Sequence, residues 1–290
     1  MTQAPESLPA LEPVALFPPD ARLGVVCAMH EELSEVVSLL GGQARRVGGR
    51  DFWQASWHGV EVVAVLCRIG KVAAATTVST LIHRFGITHV VFSGVAGGLA
   101  RGVQVGDVVV ARHFVQHDMD ASPLFARFEV PLYGQSLFAC DDFLSLALAQ
   151  AAQQCLATLG EQGQDAGFLA GLNLKPQAWT LHQGLIASGD QFIASNLQRQ
   201  AILTALPDVL AVEMEGAAVA QVCHDFGLPF AAVRIISDQA DETAHVDFAQ
   251  FIAQVAAPFG AAILQALVQS LARHAGAGDP PPHGVSIDHA

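Results

Sequence analysis

The stretch VEMEG, residues 212–216, sets two carboxylates, Glu213 and Glu215, between the apolar run Val209–Val212 and an alanine-rich segment. Taking a carboxylate out of water is costly unless it meets donors or an opposite charge. Other polar residues close other apolar runs. CAMHEE supplies Met29, Glu31 and Glu32, CRIGK supplies Ile69 and Gly70, and FSGVAGGL supplies Val95, Ala96, Gly97 and Gly98. SGDQFI adds Asp190, Phe192 and Ile193, and RIISD adds Arg234, Ser237 and Asp238. In α/β sheets, ligands gather where strands end and helices begin. One arginine among several carboxylates, with glycines and aromatics, suits a polar, ring-bearing, neutral molecule.

Each piece also has a plainer account. Glu31 and Glu32 at a helix start are favourable with the macrodipole alone. VAGGL reads as a turn and lacks the GxGxxG spacing of a dinucleotide loop. Asp238 closing a strand is by default a cap, and Phe192 by default core. Glu215, between Met214 and Gly216-Ala217-Ala218, resists such an account. The conjunction weighs more than any member.

The elements that must position these groups are short apolar runs alternating with helical ones. Strands are expected at 22–28, 60–67, 88–94, 106–111, 184–189, 208–214 and 229–237; several are apolar throughout, as in a sheet covered on both faces. Helices are expected at 71–85, where Val72, Ala75, Val78, Ile82 and Phe85 recur at three and four before Gly86, and at 141–159, capped by Asp141 or Asp142. Two more span 216–226 and 246–274, the last interrupted at Pro258. Alternation predicts an α/β three-layer sandwich with a twisted, mainly parallel central sheet flanked by helices. One domain covers 21–274, between disordered tails at 1–20 and 275–290, with a Gly-rich surface loop at 160–180.

Composition excludes several classes. Of 290 residues 52% are apolar and 14% charged, and the net charge of −13 argues against a nucleic-acid partner. Five cysteines without a CxxC pair suggest reduced thiols and a cytoplasmic setting. Twelve histidines show no HExxH or paired spacing, so no metal is expected. The first twenty residues lack a signal-peptide pattern, and no uninterrupted apolar stretch suggests a membrane span.

Taken in order, GVVCAMHEE, RIGKVAAATT, SGVAGGL, VGDVVVA, ASGDQFI, AVEMEGAAVAQVC and VRIISDQAD resemble the methylthioadenosine/S-adenosylhomocysteine nucleosidases of the nucleoside phosphorylase/hydrolase superfamily. The resemblance covers roughly residues 22–270. It implies that Glu215 accepts the ribose hydroxyls with Met214 packed on the sugar, and that Glu213 supports them. It implies Phe192 stacking on adenine, the Ile193 backbone reading its edge, and Asp238, held by Ser237, protonating N7. Glu32 would deprotonate the attacking water with Arg234 close by. Met29, Ile69 and Phe248 would line the 5′-alkylthio slot, and Gly97 would let backbone approach the ligand. No cofactor is implied. A homodimer is, with Leu124 or Phe125 of the segment 116–134 reaching the neighbour's 5′ slot. Where many members carry serine, this chain has Val95, read either as drift or as a drier ribose edge, with Ser93 expected on the same side of the strand.

An acid at the base and carboxylates near the sugar answer the charges left by breaking an N-glycosidic bond. Superfamily relatives that use phosphate carry arginines after the first strand and before the small-residue turn. Here those positions read AMHEE and VVFSGVAGG, so water is the expected nucleophile. Aminodeoxyfutalosine or another purine nucleoside remains an alternative substrate. A phosphorylase or a non-catalytic nucleoside-binding module fits less well.

Overall fold

The computed structural model describes residues 17–162, 179–242 and 248–275. All seven expected strands are present: β1 (Arg22–Cys27), β4 (Val60–Leu66), β5 (His89–Gly98), β6 (Val108–Gln116), β8 (Leu181–Ser188), β9 (Val209–Glu213) and β10 (Phe230–Asp238). Three more were not expected, namely β2 (Gln43–Val47), β3 (Arg50–Trp57) and β7 (Leu137–Ala139). In β2 the first four residues are exposed, so no burial pattern marks it. Its turn into β3 is carried by Gly48 and Gly49, both at positive φ, the conformation a tight hairpin demands.

The helices are α1 (His30–Leu40), α2 (Lys71–Phe85), α3 (Asp142–Gln162), α4 (Asn196–Ala205), α5 (Gly216–Phe226), α6 (Phe248–Phe251) and α7 (Ala257–Ala275). Between α6 and α7 the chain makes a π-helical turn, Ile252–Ala256. Pro258 therefore does not interrupt the helix; a wider turn just before it absorbs the missing donor and the ring. The span Phe248–His274 is long and apolar enough to cross a membrane by composition, and most of its apolar window is buried inside the protein. Asp141 caps α3, its Oδ1 accepting from the Leu144 amide at 2.8 Å.

The sheet runs in the order β10-β6-β8-β9-β5-β1-β4-β3-β2, and β10 also pairs with β5. That extra pairing closes β5, β10, β6, β8 and β9 into a ring. The expectation of a mainly parallel sheet is corrected here, since half of the pairings are antiparallel. β1–β4, β1–β5, β5–β10, β6–β8 and β8–β9 run parallel, whereas β2–β3, β3–β4, β5–β9, β6–β7 and β6–β10 run antiparallel. VAGG is likewise not a turn. It prolongs β5, which bends so that Gly97 pairs with both Asp238 and Val212.

Every residue of β10 is buried, and its two faces feed two cores. Ala231, Val233 and Ile235 join α1, α3 and α7 on one side. Phe230, Ala232 and Ile236 join α2 and α5 on the other. Helix, sheet and helix thus form three layers around the strand that carries Arg234 and Asp238.

Packed chain begins before residue 21: Phe17 is buried and its ring lies 4.8 Å from that of His89. The expected tails at 1–16 and 276–290, and the loop at 163–178, lie outside the described residues. At the loop's far margin, Trp179 is part of the first core. Because Phe17 fills space in the core, Phe17→Ala is expected to lower unfolding free energy by roughly 3–5 kcal/mol, measured by urea denaturation. A loss below 1 kcal/mol (about the size of a surface change) would mean that Phe17 only rests on the core.

Candidate active site

The carboxyl ends of β1, β5, β9 and β10 converge on one cavity with about 740 Å³ of open space, its mouth included. All twelve residues expected to form the site line it: Met29, Glu32, Ile69, Gly97, Phe192, Ile193, Met214, Glu215, Arg234, Ser237, Asp238 and Phe248. Gln191, missed in the sequence, lines it too. Leu124 and Phe125 are not among the lining residues.

Glu213 explains how two acids fit at a strand end. It pairs with the Arg234 guanidinium at 2.8 Å, accepts from the amides of Gly216 at 2.8 Å and Glu215 at 3.2 Å, and takes the Ser188 hydroxyl. These amides open α5, whose first turn has no intrahelical acceptor and a positive dipole end. The Ser188 hydroxyl in turn accepts from the Ala217 amide. Arg234 is 1% exposed, gives further bonds to the carbonyls of Phe92 and Val233, and lies 3.9 Å over the Phe92 ring. Arg234 is thus ion-paired to Glu213, while its Nη1 and Glu32 Oε1 border the same space above Gly94, which keeps it close to the water-activating acid.

Glu215 points elsewhere. One of its oxygens accepts from the Gly70 amide at 2.7 Å, and burial together with the charge of Glu213 pushes its pKa up to about 8. Gly70 holds φ at +100°, which brings that amide inward as α2 begins. Behind it, Lys71 pairs with Asp118 at 2.6 Å, Asp118 accepts from the Asp190 amide, and Asp190 accepts from the Lys71 amide. This triangle ties the start of α2 to the loop bearing Phe192 and Ile193.

Glu32 turns back over the start of α1. One oxygen accepts from the Ala28 and Met29 amides at 3.0 and 3.1 Å, and the other, Oε1, is buried with no hydrogen-bond partner among the described residues. Burial lifts its pKa to about 7. Gly94 leaves the space above it open, since a Cβ there would stand 3.3 Å from Glu32 Oε1 and 3.7 Å from Arg234 Nη1. Across the cavity, Asp238 accepts from Ser237 Oγ and the Ala240 amide, each at 2.8 Å, and burial raises its pKa above the usual carboxylate range. Gly97 is required at this point, because a Cβ would fall 2.9 Å from Asp238 Oδ1.

Phe192 and Phe248 meet edge to face at 5.9 Å, and Phe192 and Ile69 remain substantially exposed. Val95 lines the cavity, whereas Ser93 does not; a Cβ on Gly260 of α7 would lie 3.0 Å from its hydroxyl. The cavity therefore holds four carboxylates and one guanidinium already neutralised. It can carry protons at two separate points and repels a dianion.

A match to the phosphorylase superfamily spans residues 22–269. The aminodeoxyfutalosine nucleosidase of Helicobacter pylori is 34% identical over 252 residues, 86% of this chain and 99% of the relative. A 5′-methylthioadenosine/S-adenosylhomocysteine nucleosidase of Shewanella putrefaciens is 32% identical over 80% of this chain and 91% of its own. The crystal structure of such a nucleosidase from Neisseria meningitidis, in complex with methylthio-immucillin-A, superposes with a TM-score of 0.74 at 32% identity, covering 86% of this chain and 99% of that one. The chain belongs to the phosphorylase superfamily. Within it, these relatives are hydrolytic nucleosidases.

A carboxyl whose pKa rises on folding holds its proton more tightly in the native state. Its contribution to stability is therefore lost as pH climbs from the unfolded value of 4.5 through about 7 for Glu32. Glu32→Gln has no proton to lose. Relative to the unsubstituted protein it should gain stability between about pH 5 and pH 8, read from urea unfolding across that range. A gap that does not change with pH would show that Glu32 is ionised throughout.

Proposed function

We propose that this protein hydrolyses the N-glycosidic bond of 5′-methylthioadenosine and S-adenosylhomocysteine, and of 5′-deoxyadenosine, releasing adenine and the 5-substituted ribose. The observation that carries the reading is that Glu32 and Asp238 line one cavity, with Glu215 between β9 and α5. Departure of the base leaves negative charge on the purine and positive charge on the sugar. Asp238, whose pKa burial raises, donates to the purine nitrogen, and the Ser237 and Ala240 bonds hold it in place. Glu32, with its free oxygen, orients water and removes its proton. Glu215 takes the ribose hydroxyls, and their two donors answer its desolvation.

Phe192 supplies the face for the adenine, the Ile193 backbone its edge contact, and Met214 the floor under the sugar. Met29, Ile69 and Phe248 form the apolar slot for the 5′ group. Arg234 acts as a positioning residue that anchors Glu213 and lowers the cost of ionising Glu32 through its field. Water is favoured over phosphate because no uncommitted cation lines the cavity among the described residues. Aminodeoxyfutalosine is a second substrate reading, favoured by the Helicobacter relative. Five unpaired cysteines accord with a cytoplasmic setting.

Adenine release from methylthioadenosine, with and without phosphate, tests the reaction. Asp238→Asn and Glu32→Gln are each expected to lower kcat by about 10²–10⁴-fold while still binding substrate. Near-normal kcat in either variant would remove that residue from the mechanism.

The same reading makes the protein a homodimer. Leu124, at 84% exposed, and Leu132, at 92%, lie on the segment after β6, while Val130 is buried and Phe128 packs on a core cluster. The segment is thus anchored from inside and leaves leucines for a neighbour. Sedimentation at assay concentration should give a dimer, and Leu124→Asp should weaken it. A fully active monomer is the contrary result.

A further inference from the structure

Beside the active cavity lies a second, wider one, with about 1470 Å³ of open space, and Met29 and Ile69 of the 5′ slot form part of both walls. Its lining includes Arg46, Arg50 and Arg68, three of the chain's 14 basic residues. Arg46 is neutralised by Asp51 at 3.2 Å. Arg50 and Arg68 have no carboxylate within ion-pair distance among the described residues. Arg50 donates to the carbonyls of Cys67 and Ala73, and Arg68 to that of Gly49. The Arg50 Nε is buried without a hydrogen-bond partner among the described residues. The two guanidiniums also feel each other, since burial and the charge of Arg68 both lower the Arg50 pKa.

Arg68 has a further peculiarity. Its φ is +70°, a left-handed conformation that disfavours side chains and that glycine adopts freely. A backbone position suited to glycine thus carries an exposed cation immediately before Ile69. In a protein of net charge −13, two like charges left unpaired beside a substrate slot call for an anion.

We propose that this cavity is a subsite for a carboxylate at the far end of the substrate's 5′ substituent, bound chiefly by Arg68 with Arg50 behind it. The inference rests on the nucleosidase reading and selects among its substrates: tails ending in a carboxylate are preferred over neutral alkyl tails of the same length. The carboxylate can belong to an amino-acid tail or stand alone. Glu31 borders the same cavity and is placed to meet an ammonium only in the first case.

The test compares kcat/KM for adenine release at low ionic strength from three compounds: 5′-butylthioadenosine, 5′-(3-carboxypropyl)thioadenosine and S-adenosylhomocysteine. At least one carboxylate compound should exceed the butyl compound by about tenfold, and the better of the two identifies the kind of tail. The advantage should shrink at high salt, as expected for a partly exposed ion contact. Arg68→Gly suits the backbone at that position, so it keeps the fold while removing the charge. The ratio of charged to neutral substrate should fall to near one in that variant. Equal turnover of all three compounds by the unsubstituted enzyme, or a preference that survives both Arg68→Gly and high salt, overturns the subsite and leaves the nucleosidase reading standing. No adenine from any of them overturns the nucleosidase reading itself.

Discussion

The ion pair between Glu213 and Arg234 is the contact on which the cavity depends. Removing two charges from water is expensive, and a buried pair holds only when its remaining donors and acceptors are also met. Here they are met from three directions: the first amides of α5, the Ser188 hydroxyl from β8, and the carbonyls of β5 and β10. The pair therefore joins β8, β9, β10 and α5 at one point. A single charge on either side would be left uncompensated in the core.

Neutralising Arg234 in this way decides the electrostatics of everything in front of it. Burial is the largest influence on Glu32, Glu215 and Asp238 and raises the pKa of all three, while the field of Arg234 pulls only partly against it at Glu32 and Glu215. Two of them sit at opposite walls with different partners, an orphan oxygen on Glu32 and a serine-braced carboxyl on Asp238. That separation is what allows one group to act as base and another as acid near neutral pH. A substrate that brings hydroxyls to Glu215 and a basic nitrogen to Asp238 relieves the protein of charges it holds at a cost.

Glycines complete the arrangement by absence of side chain. Gly94 leaves room above Glu32, Gly97 lets β5 approach Asp238, and Gly216 allows α5 to start against Phe114, whose ring atom would lie 2.2 Å from a Cβ. In the sequence Gly94 closed an expected strand and Gly216 opened an expected helix, and only Gly97 stood in a stretch that read as a turn. Their role follows from a sheet that bends back on itself, because only a closed ring brings β5 within a side chain's length of both β9 and β10.

Much of this was legible in the chain itself. Apolar runs ending in Glu213, Glu215 and Asp238 marked both the strands and the site, because buried charge at a strand end is too costly to be incidental. The motif order further singled out the twelve residues that line the cavity. A Ser-x-x-Gln capping pattern at Ser195, whose hydroxyl accepts from the Gln198 amide, could also have marked α4. The hairpin β2–β3 was hidden, since the exposed edge strand β2 leaves no hydrophobic period, although Gly48-Gly49 hinted at its turn. Strand direction and ring closure were beyond local reading, because both depend on pairings between segments far apart in the chain. Partner choice was decided the same way: nothing near Arg234 in sequence says that it meets Glu213 rather than Glu32. Local sequence thus determined which groups are buried together at strand ends. Tertiary structure alone decided which of them neutralise each other, because that depends on distances set by the closed sheet.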